Sequence, residues 1–336
     1  SMKSKLITLK LGIKKNKTDG LLICLFKAST TALIFTLNKF AAAPVIISKQ
    51  NIIKSNPKYI FINSGNANAC TGKEGLTNTK RILNLLAKRL KCNSNEIIIM
   101  STGIIGRQLP IDDIEASIIK NTFNKYSSLK DAACSVMTTD NHPKYLSKEY
   151  RIGSKKVIFS GLCKGAGMIE PNMATMLAFI ETNVSINKSN LKKYLNYCAN
   201  LSFNAISVDG DMSTNDCVAF TSTNLVKIDL KNKNNEKKLL EYAADFFIKL
   251  SSKIVKDGEG ATKIIKLNIC NAKTKTLAQE ISRKISNSLL VKTAMYGEDP
   301  NWGRIIASLR SVNENALNVV KVKLFINKIL CFDNGT

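Results

Sequence analysis

Short apolar runs that close in turn residues alternate along this chain with stretches of helical period, and that alternation limits it to α/β or α+β architectures with mixed sheets. Leu21, Leu22, Ile23, Cys24, Leu25 and Phe26 form one run; Tyr59, Ile60, Phe61 and Ile62 form another, bounded as buried strands are. Residues 79–90 place Ile82, Leu83, Leu86 and Leu90 on one helical face, and the strand-like Ile97, Ile98, Ile99 and Met100 follow. Leu239, Leu240, Ala243, Phe246, Phe247, Leu250 and Ile254 predict a second helix over 236–255. Alternation over 263–269 predicts a half-buried strand, and residues 319–326 and 329–332 flank Asn327 and Lys328 as a hairpin does. A Lys/Asn-rich loop is expected at 231–237, and 336 residues suggest roughly two domains.

Composition removes several chemistries. His142 is the one histidine, so a Ser-His-Asp hydrolase would rest on it alone. The nine cysteines include no pair at C-x₂₋₄-C spacing, which argues against a zinc site and for small core residues of a reducing compartment. No apolar run reaches the roughly 18 residues that span a membrane, and the start of the chain lacks the apolar stretch of a signal peptide. Ser1-Met2 reads as an expression scar. A soluble, cytoplasmic protein is expected.

The formal charge of +25 raises nucleic-acid binding. The lysines, however, are spread over the whole chain beside asparagine and isoleucine, as in Lys231-Asn232-Lys233-Asn234-Asn235, and no aromatic RNA-binding pattern accompanies them. Compositional drift explains them better, although such a surface would still steer anionic substrates.

Chemistry concentrates in residues 164–177, where Lys164 stands between small neighbours eleven residues ahead of Thr175. A threonine hydroxyl is a poor nucleophile unless a base takes its proton. Cutting the Ala174–Thr175 bond would free the α-amine of Thr175, whose pKa of about 7.7 to 8.0 suits general-base work. Two polar turns follow strands, at 63–72 and 101–106; the second would present a hydroxyl and a backbone N–H where an oxyanion forms. Each turn, read alone, also fits an ordinary connection.

Taken together, the segments 35–38 with 42–45, 63–72, 101–109, 137–140, 164–177, 203–211 with 213–216, 257–263 and 297–304 closely resemble the ornithine acetyltransferase family, the bifunctional glutamate N-acetyltransferases of arginine biosynthesis. The resemblance implies a layered sandwich of mixed sheets with two subdomains and a self-cleaving threonine nucleophile. It places the nucleophile at Thr175, released by autoproteolysis after Ala174, and so implies an α fragment 1–174 and a β fragment 175–336. Thr102 and Gly103 fall on the oxyanion pair; Thr138, Lys164 and Glu259 fall on substrate-binding positions. A partly buried lysine suits the carboxylates of N²-acetylornithine and glutamate, and a glutamate suits the ammonium of ornithine.

By that resemblance the reaction is a ping-pong acetyl transfer through an acetyl-threonine, needing no metal and no nucleotide cofactor. Some members also take acetyl-CoA as donor. Two α and two β fragments are expected to assemble, with small molecules rather than nucleic acid or membrane as partners. Family members continue several dozen residues beyond position 336, and that tail carries an asparagine and a hydroxyl residue of the substrate site, so binding of the second substrate is expected to suffer. Read from the residues, two other functions stay open: a self-cleaving threonine amidase or aminopeptidase that passes the acyl group to water, and an eroded, non-catalytic basic protein.

Overall fold

The computed structural model describes residues 1–165, 176–205, 213, 215–257, 263–309, 311–312 and 322–333. The chain divides into two compact units, Ser1–Ile206 with Asp211–Glu259, and Ser207–Gly210 with Gly260–Thr336.

Two sheets build the first unit. One runs in the order β1 (Lys5–Leu9), β2 (Gly20–Cys24), β4 (Tyr59–Asn66), β5 (Ile97–Ile104), antiparallel except for the parallel pair β4–β5. The other runs β3 (Thr30–Phe35), β9 (Cys217–Val226), β8 (Leu177–Val184), β7 (Lys155–Lys164), β6 (Lys144–Ile152), with β8–β9 its parallel pair. The expected mixed sheets are present.

Alternate side chains of each strand serve different layers. Ile60, Ile62, Ile98 and Met100 pack against Leu162, Leu177, Phe179 and Ala219, joining the two sheets face to face. Phe61, Ile97 and Ile99 instead pack beneath α1 (Ala43–Lys54), α2 (Gly72–Leu90) and α3 (Ile111–Lys120). On the far side Phe159, Ala178, Ile180 and Phe220 meet α5 (Lys188–Leu201) and α6 (Lys233–Lys256). The result is a helix–sheet–sheet–helix sandwich. Both faces of the strands are buried, which is why they read as continuous apolar runs. Each fully buried Leu, Ile or Phe side chain contributes about 1.5–3 kcal/mol. The short α4 (Leu129–Ser135) sends Ala132 and Ala133 into the inter-sheet core, and the loop that follows it leads into β6.

Helix α2 starts at Gly72 rather than at 79; its first turns are mostly polar, with Leu76 packed on the core, so the apolar period shows only later in the helix. Asn232 accepts from the backbone N–H groups of Asn234 and Asn235, so the Lys/Asn stretch expected as a loop is largely the capped first turn of α6. Among the described residues the strand expected over 263–269 is not formed: Ile264 and Ile265 are both exposed and no described strand pairs with them. Alternation alone supplies no partner.

In the second unit, α7 (Lys275–Ser286), α8 (Leu289–Tyr296) and α9 (Trp302–Ala307) gather around Leu277, Ile281, Ile285, Val291 and Ile305. The hairpin is formed by β10 (Lys323–Ile326) and β11 (Ile329–Asp333), with Asn327 at φ 48° and Lys328 at φ 70°, the two left-handed residues that a two-residue turn of this hand needs. Residues 319–321 of that expectation lie outside the described residues. Leu324 and Ile326 pack on the helical cluster, and Trp302 meets Phe332 with ring centroids 5.5 Å apart.

All nine cysteines are free; Cys163, Cys198 and Cys217 are buried core residues, whereas Cys70 and Cys270 are exposed. Among the described residues no helix is long and apolar enough to cross a membrane.

Candidate active site

Lys164 is the last residue of β7, and its side chain is carried into the protein rather than out of it, with 1% of its surface exposed. Its ammonium donates to Thr138 Oγ1 at 2.7 Å and to Thr102 Oγ1 at 3.1 Å. Thr102 stands near the end of β5 in the other sheet and is fully buried; Thr138 lies in the loop between α4 and β6. Three of the predicted site residues, 62 and 26 positions from one another along the chain, therefore meet at one ammonium group.

Gly103 follows Thr102 at φ +132°, and a β-carbon there would fall 2.3 Å from the carbonyl carbon of Gly65 and 2.4 Å from the backbone nitrogen of Asn66. Only glycine allows β5 to lie this close to the end of β4. Asn215 holds the same region from β9's side, donating from Nδ2 to the carbonyls of Ala67 (2.6 Å) and Ser101 (2.8 Å). The expected turn at 63–72 begins as the end of β4, and its asparagines hold this corner: Asn66 Oδ1 accepts from Asn68 N, Asn63 Nδ2 donates to the Asn66 carbonyl, and Asn63 Oδ1 accepts from Ser101 Oγ.

Burial makes the lysine's charge costly and pushes its pKa down to about 8; Asp140 opposes the fall, Lys144 adds to it, and Asp216 opposes it from farther off. Asp140 Oδ1 lies 3.6 Å from the Lys164 ammonium, while Oδ2 accepts from Lys144 Nζ (2.6 Å) and from the backbone N–H of Gly165 (2.9 Å). Burial by itself would raise the Asp140 carboxyl, but Lys164, Lys144 and these hydrogen bonds together outweigh it and hold it below the ordinary value. Asp216 precedes β9, and the packing around its carboxyl raises its pKa to about 6 against the hydrogen bonds of Ser213 and Met176. Asp216 Oδ1 accepts from the backbone N–H of Met176 at 3.2 Å.

Ala174, Thr175 and Glu259 lie outside the described residues. The nearest described neighbours are Met176 on one side and Asp257 on the other. Met176, the next residue after Thr175, is held by Asp216, and Asp257, two positions before Glu259, accepts from Asn141 N at 2.8 Å. Asp140, Lys144, Asp216 and Asp257 were not singled out from the sequence, although all four stand in or beside the segments that carry the family resemblance. Among the described residues no group of three or more His, Cys, Asp or Glu could hold a metal ion.

The ArgJ family model matches residues 5–336. The chain belongs to the ArgJ family. A relative from Dictyostelium discoideum, named as the mitochondrial arginine biosynthesis bifunctional protein ArgJ, is 44% identical over 308 residues, covering 89% of this chain and 69% of its own length. The ArgJ protein of Caldanaerobacter subterraneus subsp. tengcongensis is 40% identical over 308 residues, 89% of this chain and 75% of that protein. Among solved structures, the ArgJ protein of Bacillus halodurans superposes with a TM-score of 0.45 at 30% identity, covering 51% of this chain and 91% of that one.

Proposed function

We propose that this ArgJ-family chain is an acetyltransferase of arginine biosynthesis that moves an acetyl group from N²-acetylornithine to glutamate through an acetyl-threonine at Thr175. Membership of the family supports the reaction class. The observation that carries the site assignment is the buried Lys164 ammonium bonded to both Thr102 and Thr138. A cation so placed suits the α-carboxylate common to both amino acids, and a threonine hydroxyl beside it suits the developing oxyanion.

In the first half-reaction the α-amine of Thr175 takes the proton of its own Oγ, which attacks the acetyl carbonyl of N²-acetylornithine. Thr102 and Gly103 stabilise the oxyanion, the proton passes to the leaving amine, and ornithine departs, leaving the ester. Glutamate's amine then attacks the ester and regenerates the hydroxyl. Thr138, Lys164 and Glu259 bind the substrates, Glu259 facing the ornithine ammonium by charge. No metal or nucleotide takes part, and acetyl-CoA is proposed as an alternative donor for the same ester.

The free amine requires cleavage between Ala174 and Thr175. That junction falls in sequence between β7 and β8, neighbouring antiparallel strands, so fragments 1–174 and 175–336 would share one sheet. Two copies of each fragment form the proposed assembly, and the cytoplasm is the proposed compartment.

The test uses acetyl-labelled N²-acetylornithine. Without glutamate, the fragment beginning at Thr175 should gain the mass of one acetyl group; with glutamate, label should leave as N-acetylglutamate. Label released as acetate in both cases would replace transfer by hydrolysis. Native mass reads the assembly, and acetyl-CoA supplied alone reads the second donor.

A further inference from the structure

Lys144 opens β6 with 2% of its surface exposed, and its ammonium bridges two buried carboxylates. Asp140 Oδ2 lies at 2.6 Å and Asp257 Oδ2 at 2.5 Å, with the carbonyl oxygen of His142 at 3.2 Å. Each carboxylate is also held by backbone: Asp140 accepts from Thr138 N (3.1 Å) and Gly165 N (2.9 Å), Asp257 from Asn141 N (2.8 Å). The chain of contacts Asp257–Lys144–Asp140–Lys164 thus runs from the end of α6 to the ammonium that Thr102 and Thr138 meet.

We propose that Lys144 is a positioning residue for the acetyl transfer: by bridging Asp140 and Asp257 it fixes the carboxylate that aims Lys164 and anchors the chain two residues before Glu259. The inference rests on the function proposed above, and it adds a residue that touches neither substrate nor nucleophile. Two arguments favour positioning over plain stability. Buried ion pairs are seldom more stabilising than well-packed apolar residues, so four buried charges are a poor way to hold a fold together. The quartet is also balanced, two carboxylates against two ammonium groups, and its end ammonium is the predicted substrate-binding one.

The groups facing these charges come from β5, β6, β7, the end of α6, the loop between α4 and β6, and the segment before β9. Lys164 is faced by Asp140, Lys144 and Asp216 together with Thr102 and Thr138; Lys144 is faced by Asp140, Asp257 and the buried Cys163 thiol, with Lys253 of α6 beyond it. Lys144 lowers the pKa of Lys164, so its removal should let Lys164 keep its proton to higher pH.

The test compares Lys144→Met, Lys144→Arg and the double variant Lys144→Met with Asp257→Asn, which leaves no carboxylate at 257 unpaired should the single variant fail to fold. In Lys144→Met or the double variant, the alkaline limb of kcat/KM for N²-acetylornithine should move upward from about pH 8. KM at neutral pH should rise about tenfold with kcat changed less, and Lys144→Arg should restore both. An NMR titration of lysine Cε carbons, with the Lys164 signal assigned through Lys164→Met, should show the same upward shift whether or not the protein transfers acetyl groups. A lower melting temperature with unchanged titration, limb and KM would reduce Lys144 to a structural residue and overturn the inference. Wild type that transfers no acetyl group would sink the proposed function and this inference with it, whereas transfer that Lys144→Met leaves unchanged would overturn the inference alone.

Discussion

The backbone N–H of Met176 donates to the Asp216 carboxylate at 3.2 Å, and the N–H of Cys217 donates to the Met176 carbonyl at 3.4 Å. The residue after Thr175 is thereby pinned to the entry of β9 from both its polar backbone groups. The nucleophile proposed at Thr175 would need its main chain held while its side chain reacts, and these contacts fix the residue that follows it.

Asp216 should make stability fall as pH rises toward neutrality. Its carboxyl titrates near pH 6 in the folded protein, above its unfolded value, so the folded state binds the proton more readily. The associated stability is complete below the unfolded pKa and is lost as pH rises through about 6. Asp216→Asn removes that loss. Melting curves from pH 4 to 7 should show wild type declining relative to the variant by on the order of 1–3 kcal/mol across this window. Parallel pH profiles for the two proteins would contradict it.

Thr102→Ala should separate catalysis from folding. The hydroxyl is buried and takes one hydrogen bond from Lys164, which retains Thr138 and Asp140 when it is lost. A donor aimed at an oxyanion is worth roughly 10²-fold in kcat, whereas a hydrogen bond to a charged group contributes about 1.5–3 kcal/mol to stability. Kinetics at saturating substrate beside a melting curve give both numbers. Normal kcat in a destabilised protein would assign Thr102 to structure alone.

Much of the fold could be read from the chain because the physics was local or periodic. Phe61 and Ile62 face different layers, both buried, and so β4 reads as an apolar run; Leu83 and Leu86 recur at the helical period under one sheet. Residues 263–269 alternate as a strand would, yet Ile264 and Ile265 are both exposed and no described strand pairs with them. At the site, Thr102, Thr138 and Lys164 were legible through resemblance, and the structure brings them together. Lys144 and Asp257 were not: the ion pair joins positions 113 apart, and burial of a lysine in an otherwise lysine-rich chain leaves no mark on composition.

Gly103 and Gly106, one crowded by backbone and one in open space, test the close approach of β4 and β5. Gly103→Ala would drive a β-carbon into the backbone of Gly65 and Asn66, which cannot move aside as a flexible side chain could. Gly106 has φ +81° with nothing within 4 Å of the β-carbon position, so its alanine variant meets backbone strain alone. Gly106→Ala should lower stability by about 1–2 kcal/mol, and Gly103→Ala by clearly more, to the point of poor soluble yield. Equal losses at both positions would mean that the two strands part easily.

Cleavage should leave a protein that behaves as one piece. The strand order β3-β9-β8-β7-β6 interleaves the proposed fragments: β3, β7 and β6 precede the junction, while β9 and β8 follow it. Separating the fragments would break the β3–β9 and β7–β8 ladders and expose Phe159, Phe179 and Phe220, each almost fully buried. At about 1.5–3 kcal/mol for each such side chain, separation is equivalent to unfolding the sheet. Denaturing mass spectrometry of wild type should find masses for 1–174 and 175–336, gel filtration of the same sample should give one peak containing both, and Thr175→Ala should remain a single chain. An uncut wild type after long incubation would remove the α-amine from the mechanism, and fragments that part without denaturant would contradict the interleaved sheet.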